Sequence, residues 1–145
     1  MGETNLRSKI GNRAESGAIA NINLAGYNFN ASWGTVASFS LTTSGNPVMV
    51  GLLPAGSGTN PSQVRLLNLG NRGDWRILRD GAVVIGQGLV GEFSAFADIY
   101  SGVAAFNTFD LYCPAGAHTF QFQAGTSGGT GTAINYASFF GIELG

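Results

Sequence analysis

One cysteine, one histidine, four prolines and few charges are spread over 145 residues, and each shortage closes off a class of protein. Cys113 has no second cysteine to form an intramolecular disulfide with, and His118 alone beside it supplies no Cys/His cluster for zinc. With a single histidine there is no two-histidine metal site, so no metal and no cofactor are expected. No apolar run approaches the roughly 20 residues that span a bilayer, and the opening MGETNLRSKIGNRAES lacks the apolar stretch of a secretory leader. No membrane partner is expected. The formal net charge is −1, which gives nucleic acid no electrostatic purchase. A chain of this length buries roughly two-thirds of its unfolded surface, so it folds without a staple.

The scarcity of charge is the most informative shortage. Charged residues make up 10% of the chain, against about 25% in an ordinary soluble domain. They are absent altogether from residues 16–64 and again from 111–142. Free surfaces carry mixed charge for solubility, so two long neutral tracts point to surface covered by other protein. The alternative is a neutral monomer clothed in Ser, Thr, Asn and Gly.

What is present is 23 glycines punctuating short runs of β-branched and aromatic residues, the pattern of an all-β chain with many turns. Residues 4–15 hold at most a turn or two of helix, broken by Gly11 and Asn12. Over 37–43, Phe39 and Leu41 alternate with Ser38, Ser40 and Thr42; over 118–124, Phe120 and Phe122 alternate with Thr119, Gln121 and Gln123. Residues 48–53 are apolar on both faces, as an interior strand is. Further strands are expected over 63–69, 93–96, 104–112, 133–136 and 139–144. Asp80-Gly81, between WRILR and AVVIG, predicts a hairpin with a type I′ turn, setting Leu78 opposite Val83 and Arg76 opposite Ile85. Eight or nine short strands with turn signals between them, and no helical crossover rhythm, predict an antiparallel sandwich or jelly roll.

The closing FDLYCPAGAHTFQFQAGTSGGTGTAINYASFFGIELG combines Asp110, a Pro114-x-Gly116-x-His118-Thr119-Phe120 turn into a strand, a Gly/Thr-rich loop over 128–132, Asn135, and a last strand ending Ile142-Glu143-Leu144. This resembles the final segment of the trimeric, TNF/C1q-like jelly rolls of phage virion proteins, and SFSLTTSG followed by an apolar run resembles their opening strands. Cys113 departs from the pattern, which has a small polar residue before the proline. The resemblance covers about 110 residues in outline, and it is specific over the last 36 or so. It implies a homotrimer whose last strands line the threefold axis, with Phe139, Phe140 and Ile142 at the interface. The competing assignment puts them in the subunit's own core; because Phe139 and Phe140 are adjacent on a strand, they face opposite sides.

If the jelly roll spans 33–145, residues 1–32 form an N-terminal arm. In NINLAGYNFNASW, Ile22 and Leu24 differ in parity from Tyr27 and Phe29, with Ala25-Gly26 as the switch. Two short extended pieces of this kind can add to a sheet edge, strapping the subunit to a neighbour or to a capsid, with Arg7, Lys9 and Arg13 meeting an acidic surface. The alternative is a free leader.

Catalytic signatures are wanting. There is no G-x-S-x-G, H-E-x-x-H or P-loop, and GTSGGTG over 125–131 reads as a hairpin loop rather than a phosphate cradle. Asp74, Asp80, Asp98 and Asp110 are dispersed, and Cys113 and His118 flank a turn without a third group. No enzyme is expected. Arg72, Arg76 and Arg79 are the one basic cluster: either a grip on acidic sugars or a partner's carboxylate, or a solvated strand face paired locally with Asp74 and Asp80. With the resemblance to phage virion jelly rolls, these features lead to the expectation of a non-enzymatic virion protein on the capsid exterior, decorating or cementing it. The rival is a receptor-binding tail tip using Trp33, Trp75, Tyr100 or Tyr112 to stack on host glycan.

Overall fold

The computed structural model describes residues 18–22, 33–54, 63–67, 72–92, 99–102, 106–127, 131–135 and 137–144. Among these the chain is all β, with no helix. Its strands are β1 (Ala18–Ile22), β2 (Gly34–Ser44), β3 (Val48–Pro54), β4 (Gln63–Leu67), β5 (Arg72–Arg79), β6 (Val83–Glu92), β7 (Ile99–Gly102), β8 (Phe106–Asp110), β9 (Ala115–Ser127), β10 (Gly131–Asn135) and β11 (Ala137–Glu143). They pair into two four-stranded sheets, β1-β11-β3-β8 and β2-β9-β5-β6, and a small sheet β10-β4-β7. Every described pairing is antiparallel.

The two larger sheets face each other across one apolar core. β2 and β9 contribute Phe39, Leu41, Phe120, Phe122 and Ala124, and β5 contributes Ile77. From the opposite sheet come Val48, Val50 and Leu52 of β3 and Ala137 and Phe139 of β11. The Phe139 ring lies 5.0 Å from Phe39 and 5.9 Å from Phe122, tilted to both, while Phe39 stacks on Phe120 at 5.3 Å. Such offset and tilted contacts suit the ring quadrupoles.

The alternation expected for β2 and β9 is what the strands show: Phe39, Leu41, Phe120 and Phe122 are buried, while Ser38, Ser40 and Thr42 are exposed. β3, apolar on both faces, is an interior strand between β11 and β8. The Asp80-Gly81 turn has positive φ at both central residues, 53° and 71°, and the Ala82 N–H donates to the Arg79 carbonyl at 3.2 Å, as a type I′ turn requires.

The expected hairpin register is corrected. Arg79 pairs with Val83, Leu78 with Val84 and Arg76 with Gln87, because Ala82 joins the loop and a bulge between Ile77 and Leu78 adds a second offset. A second correction concerns the Gly-rich loop. Among the described residues β10 pairs with β4 rather than with β9, so the two strands on either side of that loop are not hairpin partners. β7 was not visible in the sequence pattern. The strand expected over 93–96 lies outside the described residues.

Candidate functional site

Antiparallel partners share a face, so the register builds the outer face of the β1-β11-β3-β8 sheet row by row. Ile142 stands beside Met49, and Met49 beside Phe109. Phe140 stands beside Gly51, and Gly51 beside Asn107. Ser138 stands beside Leu53. Leu53 is 42% exposed and Phe109 49%, while Phe140 retains only 8%. Phe140 is therefore the floor of this face, and Leu53 and Phe109 stand proud of it. Gly51 makes the floor possible: a Cβ there would meet the Asn107 Oδ1 at 2.1 Å and the Phe140 ring at 2.8 Å. Both side chains fold down over the bare Cα.

Each charge that β3, β8 and β11 carry is engaged within the chain. Asp110 is buried and pairs with the Arg79 guanidinium. Glu143 accepts from the Ser44 backbone N–H at 2.7 Å and hydroxyl at 2.9 Å, and from the Asn46 backbone N–H at 3.1 Å and side-chain amide at 3.3 Å. Burial opposes the charge of Glu143, but these hydrogen bonds outweigh it and hold the carboxyl below its ordinary value. What remains on the face is uncharged and mostly apolar, with Asn107 of β8 and Ser138 of β11 as its polar residues.

The three residues expected at a subunit interface divide between the two sides of β11. Phe139 is fully buried in the sandwich core and has no surface left for a neighbour; Phe140 and Ile142 lie on the outer face. Leu53, Phe109, Met49 and Asn107 join them, and sequence reasoning passed over all four. The signal for Met49 and Leu53 was present in the two-sided apolarity of β3; the placement of Phe109 and Asn107 follows only from the pairing of β8 with β3. Of the residues assigned to the arm, Ile22 closes β1, which runs along β11 of its own chain with Ile22 opposite Ala137. Leu24, Tyr27 and Phe29 lie outside the described residues.

The outer face of the β2-β9-β5-β6 sheet is built differently. Ser38, Ser40 and Thr42 lie beside Gln121, Thr119 and Ala117, and at the far end Thr35 lies beside Gln123. The Gln123 amide donates to the Thr35 hydroxyl at 3.1 Å and accepts from the Arg76 Nε at 2.8 Å, and the Arg76 guanidinium sits 4.4 Å from the Trp33 ring centroid. Leu78 also points outward here and is covered.

The basic cluster does not form one patch. Arg76 and Arg79 are three residues apart on a strand and leave opposite faces. Arg79 shares the side of its partner Phe120 and reaches across to Asp110 on the other sheet. Burial lowers the guanidinium's affinity for its proton, but the hydrogen bond and charge of Asp110 outweigh this and leave it above its ordinary value. Of Arg72 only the position at the start of β5 is described.

At the same end, polar contacts tie the Asp80-Gly81 turn and the turn after β8 to β9 and β2. The Asp80 carboxylate accepts from the Thr119 N–H at 2.8 Å and meets the His118 Nδ1 at 2.7 Å, while the His118 Nε2 lies 3.0 Å from the Pro114 carbonyl. The Thr119 N–H, with His118 and Arg79 adding to it against a desolvation cost, holds the Asp80 carboxyl below its ordinary value. The Thr43 hydroxyl donates to the Pro114 carbonyl at 2.5 Å. Cys113 is buried, and burial pushes its thiol up; its sulfur meets Thr43 at 3.8 Å. His118 and Cys113 thus take different partners, and each is engaged in holding a turn. Leu111 and Tyr112 project from the same end, 60% and 88% exposed. No protein-family model and no curated protein matches the sequence.

Proposed function

We propose that this chain is a non-enzymatic virion structural protein that assembles as a homotrimeric jelly roll and decorates or cements a capsid from its exterior. The order of strands supports the jelly-roll part. With the small sheet set aside, eight strands remain in the two larger sheets. In one, the first lies beside the last, the last beside the third and the third beside the sixth. In the other, the second lies beside the seventh, the seventh beside the fourth and the fourth beside the fifth. Consecutive strands therefore alternate between sheets except at the Asp80-Gly81 hairpin, which is how a jelly roll is wound.

The observation that carries the assembly is the outer face of β11, β3 and β8. An apolar, charge-free sheet face of this kind suits burial against another protein. Identical copies bring no like charge to it, and Phe140 and Ile142 lie on it. Attachment to the shell is assigned to the residues before β2 that lie outside β1, a reading supported by the uncharged alternation of Asn with apolar residues there. Native mass by light scattering tests the assembly: a trimer for the full chain is expected, with Phe109→Glu dissociating it. A monomer at every concentration overturns it. Cementing is tested by heat or osmotic rupture of shells with and without the protein; an unchanged rupture point rules it out.

The receptor-binding reading is favoured by a separate observation, the exposed Tyr112 on the turn after β8 together with Trp33 under Arg76. Purified protein that binds cells and leaves shells alone would move the assignment to a tail tip.

A further inference from the structure

Asn107 is the one amide among the outer-face residues of β3 and β8, and it is set among mostly apolar side chains: Phe140 and Gly51 in its own row, Met49, Phe109 and Ile142 in the next, and Leu53 with Ser138 on the other side. Its side-chain oxygen is seated against Gly51, at the spot a Cβ would fill. The bare Gly51 leaves the room that this oxygen and the Phe140 ring share. Among the described residues none accepts from the amide nitrogen within hydrogen-bond distance, and the residue is exposed in the single chain. An amide in this setting is tolerable while water reaches it. Once a neutral apolar surface covers it, an unpaired donor costs roughly 1–3 kcal/mol.

We propose that Asn107 sets the register and number of the subunits: on assembly its amide pairs with the Asn107 amide of the neighbouring copy, each nitrogen donating to the next side-chain oxygen around the axis. The proposal rests on the homotypic assembly stated above and adds to it the group that selects one arrangement. Three features point to a second copy as occupant. The face has no charge, so identical faces do not repel; Asp110 and Glu143, the charges borne by its strands, are engaged within the chain; and an amide is both donor and acceptor, so it complements itself. Apolar contacts alone tolerate sliding and rotation of one subunit against another. A single polar group that must find its mate removes the arrangements in which it does not, as a buried Asn does between coiled-coil helices.

The test uses the full chain and two variants, with circular dichroism as the check that each stays folded. Wild type is expected as one trimeric species by light scattering and native mass spectrometry. Asn107→Leu is expected to stay associated but to lose its single stoichiometry, giving two or more oligomeric states. Asn107→Asp, nearly the same shape, is expected at pH 7 to raise the concentration at which half the protein is assembled by at least about tenfold, because like charges then meet across the interface. A wild-type trimer with both variants unchanged in stoichiometry and midpoint overturns the role of Asn107 and leaves the assembly standing. A wild-type monomer overturns both.

Discussion

The two larger sheets share one core yet present opposite surfaces outward. On β11, β3 and β8 the first sheet shows Met49, Leu53, Phe109, Phe140 and Ile142 around Asn107 and Ser138, whereas the β2-β9-β5-β6 sheet shows Ser38, Ser40, Thr42, Thr119, Gln121 and Gln123. Charge does little to tell them apart, since the one difference named above is Arg76 on the second face, where Gln123 and the Trp33 ring engage it. Satisfaction by water does: hydroxyls and amides are content in solvent, while a contiguous row of Phe, Met and Ile carries a hydration cost that a covering surface would remove. The low charge of the chain therefore has two meanings. On one sheet it accompanies a solvated polar face, and on the other an apolar face, the one proposed above for assembly.

The contrast can be broken first where both faces rest on the same support. Phe139→Ala removes the ring that joins the two sheets and is expected to cost about 3–5 kcal/mol in urea unfolding; a loss below about 1 kcal/mol would mean that the sheets do not share the core described. Next comes the tie between the sheets: Asp110→Ala leaves the Arg79 guanidinium without its partner and is expected to cost about 3 kcal/mol. Replacing both residues by Leu and Met should recover most of that loss, since the pair's own desolvation is then removed too.

The contrast between faces is sharpest in a matched pair of small substitutions. Gly51→Ala on the apolar face pushes a methyl into Asn107 and Phe140 and is expected to destabilise by about 1–3 kcal/mol. Ser40→Val on the hydroxyl face is expected to change stability by no more than about 0.5 kcal/mol. Equal effects in urea titrations would erase the distinction between a built floor and a solvated surface.

The smallest effect is electrostatic. The Asp80 and Glu143 carboxyls both lie below their ordinary values in the folded chain. Such groups stabilise the fold fully above their unfolded values of about 4, and that contribution is lost as pH falls through the lower folded values. The thermal midpoint is expected to fall on acidification below about pH 4, and Glu143→Gln should flatten part of that fall. An acid slope identical in wild type and variant would show that Glu143 does not hold the Ser44–Asn46 turn.

Local pattern made part of this legible. Period-two alternation is a property of each strand alone, so Phe39, Leu41, Phe120 and Phe122 were assignable to one side without knowing their partners. The hairpin was legible because only a few residue pairs accept two successive positive φ values. Its register was not, because bulges depend on how the strand must bend against its neighbours. The basic cluster was misleading for a readable reason: residues 76 and 79 differ in parity, and strand geometry alone sends them apart. Phe139 and Phe140 were separable by the same rule, but which of them enters the core was not. Phe109 and Asn107 carried no signal of their own, since an outward Phe on an edge strand looks like any other alternating residue.

The sequence by itself determined an all-β chain, the two-sided character of each strand, the Asp80-Gly81 turn and the neutrality of the surface, because these follow from side-chain type and local backbone sterics. Tertiary structure decided which strands lie together. It set β11 between β1 and β3, placed Gly51 under Phe140 and Asn107, and joined Arg79 to Asp110 across the sandwich. Those contacts link residues far apart in the chain, and nothing local fixes such a pairing. It is selected by how all the apolar faces are buried at once.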